Sequence, residues 1–497
     1  MARGRGLFFT ILLIVLFAAF YAVTRLVNLT QIPIFTDEAI YIRWSQIGAQ
    51  DANWRFISLV DGKQPLFTWV VMVLFRLIPA DPLFVGRFAS VIAGAASMAG
   101  IWVLSYEIFK RKEVAWTSAL LYLISPFALV YDRMALYDSL VATFFIWNLY
   151  LAIRLARSPR LDIALIFGMT LGAGMLNKTS GFLSLYLIPT TLLLFDWNSP
   201  KRITRWIGFV LIAAIISQLL YSVLRLSPFF HMVAQKDTVF VYSFSEWIIH
   251  PTQHLEGNLR GLFDWLITYL TWPIFFAAIA PAMEPKFRKE FLVLYAWCLV
   301  PLVGLAAAGR VLYPRFVLFL AMPLLIAAAV TIVWLFEKIT NRVWRAVLFI
   351  GLFAPSLIAV YYLLFNPLYA PIAQADRGQY ISDWPAGWGI REVNALLLEQ
   401  SQNQHITVFT EGTFGLLPYA IEMYLVDRPN ITIVGIWPLP EKMPDSIVEK
   451  IREEPTYLVA NQSLLPPDWF GQLVGSWQKG LRKDRFLRLY KLALPRL

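Results

Sequence analysis

The chain has 497 residues, of which 58% are hydrophobic and only 15% charged, and its net charge is +11. A soluble chain carries about a quarter charged residues, so this deficit, with a mean hydropathy of +0.60 and many apolar runs of about 18 residues or more, excludes an ordinary soluble protein. The excess lysine and arginine sits in short loops between apolar runs, as membrane orientation requires, and does not point to nucleic acid.

The chain opens with "MARGRGLFFTILLIVLFAAFYAV", a basic start followed by an apolar run. No small-x-small cleavage site follows it, so an uncleaved first helix with a cytoplasmic N-terminus is expected. Apolar segments near 7–27, 86–109, 114–131, 138–156, 161–177, 180–196, 205–224, 262–282, 290–308, 315–335 and 343–365 read as spans. "PLFTWVVMVLFRLI" (65–78) is apolar but too short to cross, and reads as an interfacial or re-entrant helix. With that segment left uncrossed, "FKRKE" (109–113), "RLARSPR" (154–160), "SPKRITR" (199–205), "EPKFRKE" (284–290) and "EKITNRVWR" (337–345) all fall on the cytoplasmic side. About eleven spans follow, with the N-terminus inside and the C-terminus outside.

Beyond residue 366 the pattern changes. Helices are expected at 389–400, 416–426 and 445–454, and strands at 405–410, 430–436 and 456–460. This alternation reads as a small α/β layer with some parallel pairing. No glycine-rich phosphate loop follows its strands, which argues against a nucleotide site. The division is thus a membrane domain, 1–370, and an extracytoplasmic α/β domain, 371–497. Cys298 is the single cysteine, so it forms no intrachain disulfide. His250 and His254 have the spacing of a helical metal pair, but Pro251 lies between them and no third ligand stands out.

On this topology the unusual polar residues gather on the outer face. Asp37 and Glu38 lie in "PIFTDEAIYIRW" just after the first span. One reading is a helix cap, with Trp44 anchoring at the headgroups; the other is a carboxylate that takes a proton from an acceptor hydroxyl. "VYDRMALYDSLV" adds Asp132, Arg133 and Asp138, the last at the first turn of a span, where a carboxylate is favoured. Arg133 is suited to pairing with an aspartate or a lipid phosphate. Lys63 in "DGKQPLFTW", Lys178 in "LNKTSG", and Arg310, Tyr313 and Arg315 in "GRVLYPRF" complete the set. Outer cations run against the orientation bias. One alone reads as snorkelling to headgroups; several beside acids fit a site that grips an anionic headgroup.

In order, "TDEAIYI", "DGKQPLFTW", "DRMALYDSL", "LNKTSG" and "YPRFVLFLAMPLL" resemble the C-type membrane glycosyltransferases (GT-C). The likeness is nearest to the branch of protein O-mannosyltransferases and lipid A aminoarabinose transferases, and covers residues 1–340. It implies a polytopic helical fold in the plasma (inner) membrane and a sugar donor on polyprenyl phosphate. It also implies inverting transfer, on the outer face, to a hydroxyl of a protein, lipid or glycan. Asp37 then matches the family's first-loop aspartate, the general base, with Glu38 beside it, and Asp138 matches the second acidic residue. Lys63, Arg133, Arg315, Tyr313 and Lys178 become the donor-phosphate set. Two departures stand out: Lys63-Gln64-Pro65 where the family often has Lys-Pro-Pro, and Asp132 where a small polar residue is common. The tail matches no acceptor-specific domain.

Breaking a glycosyl–phosphate bond builds charge on the departing phosphate, which preplaced cations stabilise. The activated donor already carries its leaving group, so no nucleotide fold is needed. No cofactor or metal site is expected, with a divalent cation left open. The alternative, a flippase or transporter of lipid-linked glycans, would place polar residues near mid-membrane. A mere anchor for the outer domain would not need so many spans.

Overall fold

The computed structural model describes residues 2–195, 197, 200–279, 281 and 284–494. Ser199, which heads the expected basic loop 199–205, lies outside them. Among the described residues, six helices are long and apolar enough to cross a membrane: Pro82–Phe109, Asp138–Arg157, Pro200–Leu226, Pro285–Ala308, Pro314–Lys338 and Arg342–Phe365. Two bent pairs raise the number to as many as eight: Lys112–Ile124 with Pro126–Asp132 (59°), and Leu255–Leu270 with Trp272–Ile279 (112°). Both breaks are written locally. Ser125 precedes a proline and is extended, as the proline ring demands of its neighbour. Thr271 takes a positive φ of 63° two residues before Pro273. The expected runs 7–27, 161–177 and 180–196 appear as the shorter apolar helices Thr10–Leu26, Leu161–Asn177 and Thr179–Leu194. The last tightens into a 3-10 turn from Ile188, where Pro189 supplies no N–H. The protein is a polytopic helical membrane protein.

Helix Pro314–Lys338 forms the centre of the bundle. Its apolar stretch is 89% buried, against 17% for Pro200–Leu226, as expected of a helix that is hydrophobic all round. The helix Leu66–Leu77 has 12 residues, or about 18 Å, which falls short of the ~30 Å hydrocarbon layer. It packs between Thr36–Gln50 and Pro82–Phe109.

After the last long helix the chain forms a five-stranded sheet. We label the chain's strands β1 (Ile34–Phe35), β2 (Ala386–Gly387), β3 (Ile406–Glu411), β4 (Ile431–Ile436), β5 (Thr456–Ala460), β6 (Phe470–Gln478) and β7 (Phe486–Ala493). The sheet order is β4-β3-β5-β7-β6. β3 runs parallel to both β4 and β5, and β7 antiparallel to β5 and β6. Helices Leu416–Leu425 and Asp445–Glu453 make the crossovers that parallel pairing needs. The sequence reading anticipated β3, β4, β5 and the three helices but not the closing β6–β7 hairpin, whose first strand is largely exposed and lacks a clean alternation.

One small ladder matters most for the site. β1 pairs antiparallel with β2, placing Ile34 opposite Gly387 and Phe35 opposite Ala386. The loop after the first helix is therefore stitched to the segment that leads from the bundle into the five-stranded sheet.

Candidate active site

Helix Thr36–Gln50 starts directly after β1, and Glu38 fixes its first turn. Glu38 is fully buried, and its carboxylate accepts from Phe35 N–H (3.0 Å) and Ala135 N–H (2.7 Å). Arg87 donates to both of its oxygens, at 2.8 and 2.7 Å. Arg87 also donates to the carbonyls of Leu29, Ile32 and Pro33. Both Glu38 oxygens are thus committed to holding the loop. Grouped by sequence with the catalytic carboxylates, Glu38 is placed by the structure as their anchor. Capping of this helix likewise falls to Glu38 rather than to Asp37.

Neighbouring side chains on a helix diverge by about 100°, so Asp37 points elsewhere. Its side chain keeps 20% of its surface, against none for Glu38. Arg315 Nη2 lies 3.1 Å from one Asp37 oxygen, and Lys63 Nζ 3.8 Å from the other. Arg315 enters from the turn Pro314–Val317 at the head of the central helix. It donates to Gln379 Oε1 (3.1 Å), and its guanidinium stacks on the Tyr313 ring at 4.7 Å. Lys63 follows Gly62, whose φ of 68° makes the turn; a Cβ there would meet the Met232 carbonyl at 2.3 Å. Lys63 Nζ donates to Tyr41 Oη (2.9 Å) and pairs with Asp61 (3.4 Å). Lys236 completes that chain, 2.7 Å from Asp61. Lys178 pairs with Asp138 at 2.7 Å and sits over the Phe316 ring.

The cluster holds four cations (Lys63, Lys178, Lys236, Arg315) interleaved with three carboxylates (Asp37, Asp61, Asp138). Burial pushes the Asp37 carboxyl up, but Lys63, Arg315, Lys236 and Lys178 outweigh it and hold it below its ordinary value. Burial pulls the Lys178 ammonium down, with Asp138 opposing. The site is an ionised carboxylate held among cations that are themselves partly desolvated.

A second carboxylate stands behind Arg315. Asp376 is fully buried and accepts from the hydroxyls of Tyr131 and Tyr269. Burial pushes it up to about 6, against these two bonds and the charge of Arg315. It lies just ahead of Gln379 and Tyr380, which face Arg315.

Arg133, expected to bind phosphate, is buried and faces the other way. Its Nη1 donates to the carbonyls of Thr24, Arg25 and Val27, and its Nη2 to that of Asn28. It closes the carbonyl end of the first helix and does not join the cluster. Asp132 pairs with Arg25 inside the bundle at 3.3 Å. Arg310 pairs with Glu246 and stacks on Tyr242, and His254 meets Tyr242 Oη at 2.9 Å. Of the expected set, Asp37, Lys63, Arg315, Tyr313, Lys178 and Asp138 come together. Sequence reasoning missed Asp61, Lys236, Tyr41, Gln379, Tyr380 and Asp376. Only Asp61 and Tyr41 had a local signal, the first two residues ahead of Lys63 and the second four residues after Asp37, each inside a quoted motif.

Residues 62–221, which include Lys63, Asp138 and Lys178, match the family described as dolichyl-phosphate-mannose-protein mannosyltransferase. The chain is 24% identical over 435 residues to an undecaprenyl phosphate-alpha-4-amino-4-deoxy-L-arabinose arabinosyl transferase of Aeromonas hydrophila, covering 82% of this chain and 77% of that protein. A second such transferase, from Proteus mirabilis, is 23% identical over 72% of this chain and 67% of its own length. Among solved structures, ArnT from Cupriavidus metallidurans bound to undecaprenyl phosphate superposes with a TM-score of 0.62 at 15% identity, covering 97% of both chains. The Archaeoglobus fulgidus oligosaccharyltransferase gives 0.51 at 13% identity, over 90% of this chain and 68% of that one. The chain shares their fold.

Proposed function

We propose that this chain is a membrane glycosyltransferase of the GT-C type, akin to the O-mannosyltransferases and aminoarabinose transferases, and that it moves a sugar from a polyprenyl-phosphate donor to an acceptor hydroxyl at the outer face of the inner membrane. The observation that carries this reading is the Asp37–Arg315–Lys63 cluster, a partly exposed carboxylate held between two cations. A glycosyl phosphodiester brings one negative charge, which cations at this place would meet. The relatives' names, which specify undecaprenyl phosphate, support the same donor class.

In the proposed step the acceptor oxygen attacks the anomeric carbon as the bond from that carbon to the phosphate oxygen breaks. Polyprenyl phosphate leaves, and the acceptor's proton passes to Asp37. A single displacement inverts the anomeric configuration. The leaving phosphate gains a second negative charge, which Lys63, Lys178 and Arg315 are placed to stabilise. While they clamp Asp37, its proton affinity is low. A phosphate that draws Lys63 and Arg315 toward itself would loosen that clamp and raise the basicity of Asp37, so donor binding would switch on the base. Asp138, paired with Lys178, orients that lysine. The acceptor is a protein, lipid or glycan hydroxyl, and membrane lipids surround the bundle. In this reading the N-terminus is cytoplasmic.

The test is transfer in liposomes from undecaprenyl phosphate carrying defined sugars, with Asp37→Asn beside the wild type. Asp37→Asn should fold and bind donor yet lose transfer by roughly 10²–10⁴-fold. Near-normal transfer by this variant would remove Asp37 as the base.

A further inference from the structure

Lys479 lies in the turn between β6 and β7, far along the chain from every residue of the cluster. It is a lysine with no exposed surface. A buried ammonium is costly unless its donors are met, and here three partners meet them. Lys479 Nζ donates to the carbonyls of Trp384 (3.0 Å) and Ala386 (2.6 Å) and to Asn461 Oδ1 (2.5 Å). Asn461 Nδ2 donates to the same Trp384 carbonyl, at 3.0 Å. Between those two gripped residues is Pro385, whose carbonyl accepts from both the N–H and the hydroxyl of Thr36, at 3.1 Å each. Ala386 pairs with Phe35 in the β1–β2 ladder. Thr36 and Phe35 are the two residues ahead of Asp37. Four residues before Trp384, Tyr380 faces Arg315, the partner of Asp37.

We propose that Lys479 is a positioning residue for the transfer: its ammonium locks segment 384–387, and that segment holds β1 and the first turn carrying Asp37. The inference rests on the reading of Asp37 as the base. It makes the outer sheet a working part of the site rather than an appended module. The charge around the lock supports it. Burial pushes Lys479 down to about 7, with Asp383 and Glu411 raising it and Arg485 lowering it further. Above that pH the amine keeps two protons for three acceptors, so the lock loosens.

Lys479→Met keeps the apolar stem and removes the donors. Gly387→Ala strains the same ladder from its other end, since a Cβ there would meet Ile34 Cγ2 at 2.5 Å and the Ile34 carbonyl at 2.7 Å. Amide hydrogen exchange at residues 34–36 should rise roughly tenfold or more in both variants. Their kcat should fall on the order of 10- to 100-fold, with undecaprenyl phosphate binding within about twofold of wild type, because the phosphate cations are untouched. Wild-type transfer should decline as pH rises through about 7, and that limb should vanish in Lys479→Met. Unchanged exchange at 34–36 in Lys479→Met, or an unchanged alkaline limb, would overturn the proposal. Should Lys479→Met not fold, the pH limb in wild type and exchange in Gly387→Ala decide it: a missing limb or wild-type exchange overturns the lock. Exchange needs no donor, so a wild type that transfers nothing refutes the proposed reaction while exchange still judges the lock.

Discussion

Glu38 and Arg87 are both fully buried and joined by two hydrogen bonds of 2.7 and 2.8 Å. Breaking one partner of such a pair strands a charge inside the protein, a loss of about 3–5 kcal/mol. Glu38→Gln should therefore lower the unfolding free energy by about that amount, read as thermal or denaturant unfolding in detergent. Asp37→Asn, one residue away and partly exposed, should leave the midpoint nearly unchanged. Equal stability of the two variants would return Glu38 to the catalytic set.

Lys63 and Arg315 face the cluster, whereas Arg133 caps the first helix. A charge-assisted contact contributes about 1.5–3 kcal/mol. Lys63→Ala and Arg315→Ala should each weaken undecaprenyl phosphate binding roughly ten-fold or more, by calorimetry or fluorescence quenching. Arg133→Ala should lower stability and leave binding by the folded fraction unchanged. Weakened binding by a stable Arg133→Ala protein would restore that residue to the phosphate set.

Asp376 carries a pH signature of definite sign. Its folded pKa is raised from 3.8 to about 6, so between those values the folded state binds more protons than the unfolded one. Stability must then fall, through this group, as pH rises across that window. Asp376→Asn keeps an acceptor for Tyr131 and Tyr269 but cannot titrate. Unfolding midpoints measured from pH 4 to 7 should lose this downward contribution in the variant. Parallel curves for the two proteins would show that Asp376 does not titrate there.

Orientation can be tested by labelling from outside. Ser401 is buried, so a cysteine there would stay silent for the wrong reason. Gln402 and Lys201 are exposed, and Cys298 is buried. An impermeant maleimide applied to sealed cells should mark Gln402→Cys and spare Lys201→Cys. The reverse pattern would put the cluster on the cytoplasmic side.

What the sequence by itself determined is what local chemistry writes. Hydropathy over one helix length marked the membrane class and the apolar helices, and the prolines at 126 and 273 sit where two of them bend. Short runs rich in β-branched and aromatic residues marked β3, β4 and β5. The likeness of ordered motifs brought Asp37, Lys63, Asp138 and Arg315 onto one list. Local pattern could not say which of two adjacent carboxylates faces the site, since that depends on Arg87 some fifty positions later, as its separation of 49 records. It misplaced Arg133 because a guanidinium suits phosphate and backbone carbonyls equally well. Asp61–Lys236 spans 175 positions and Arg315–Gln379 spans 64, and nothing near either residue announces its partner. The tertiary structure alone brought residues 376–387 and Lys479 to the site, because hydrogen bonds between distant segments form only where the chain has already folded back on itself.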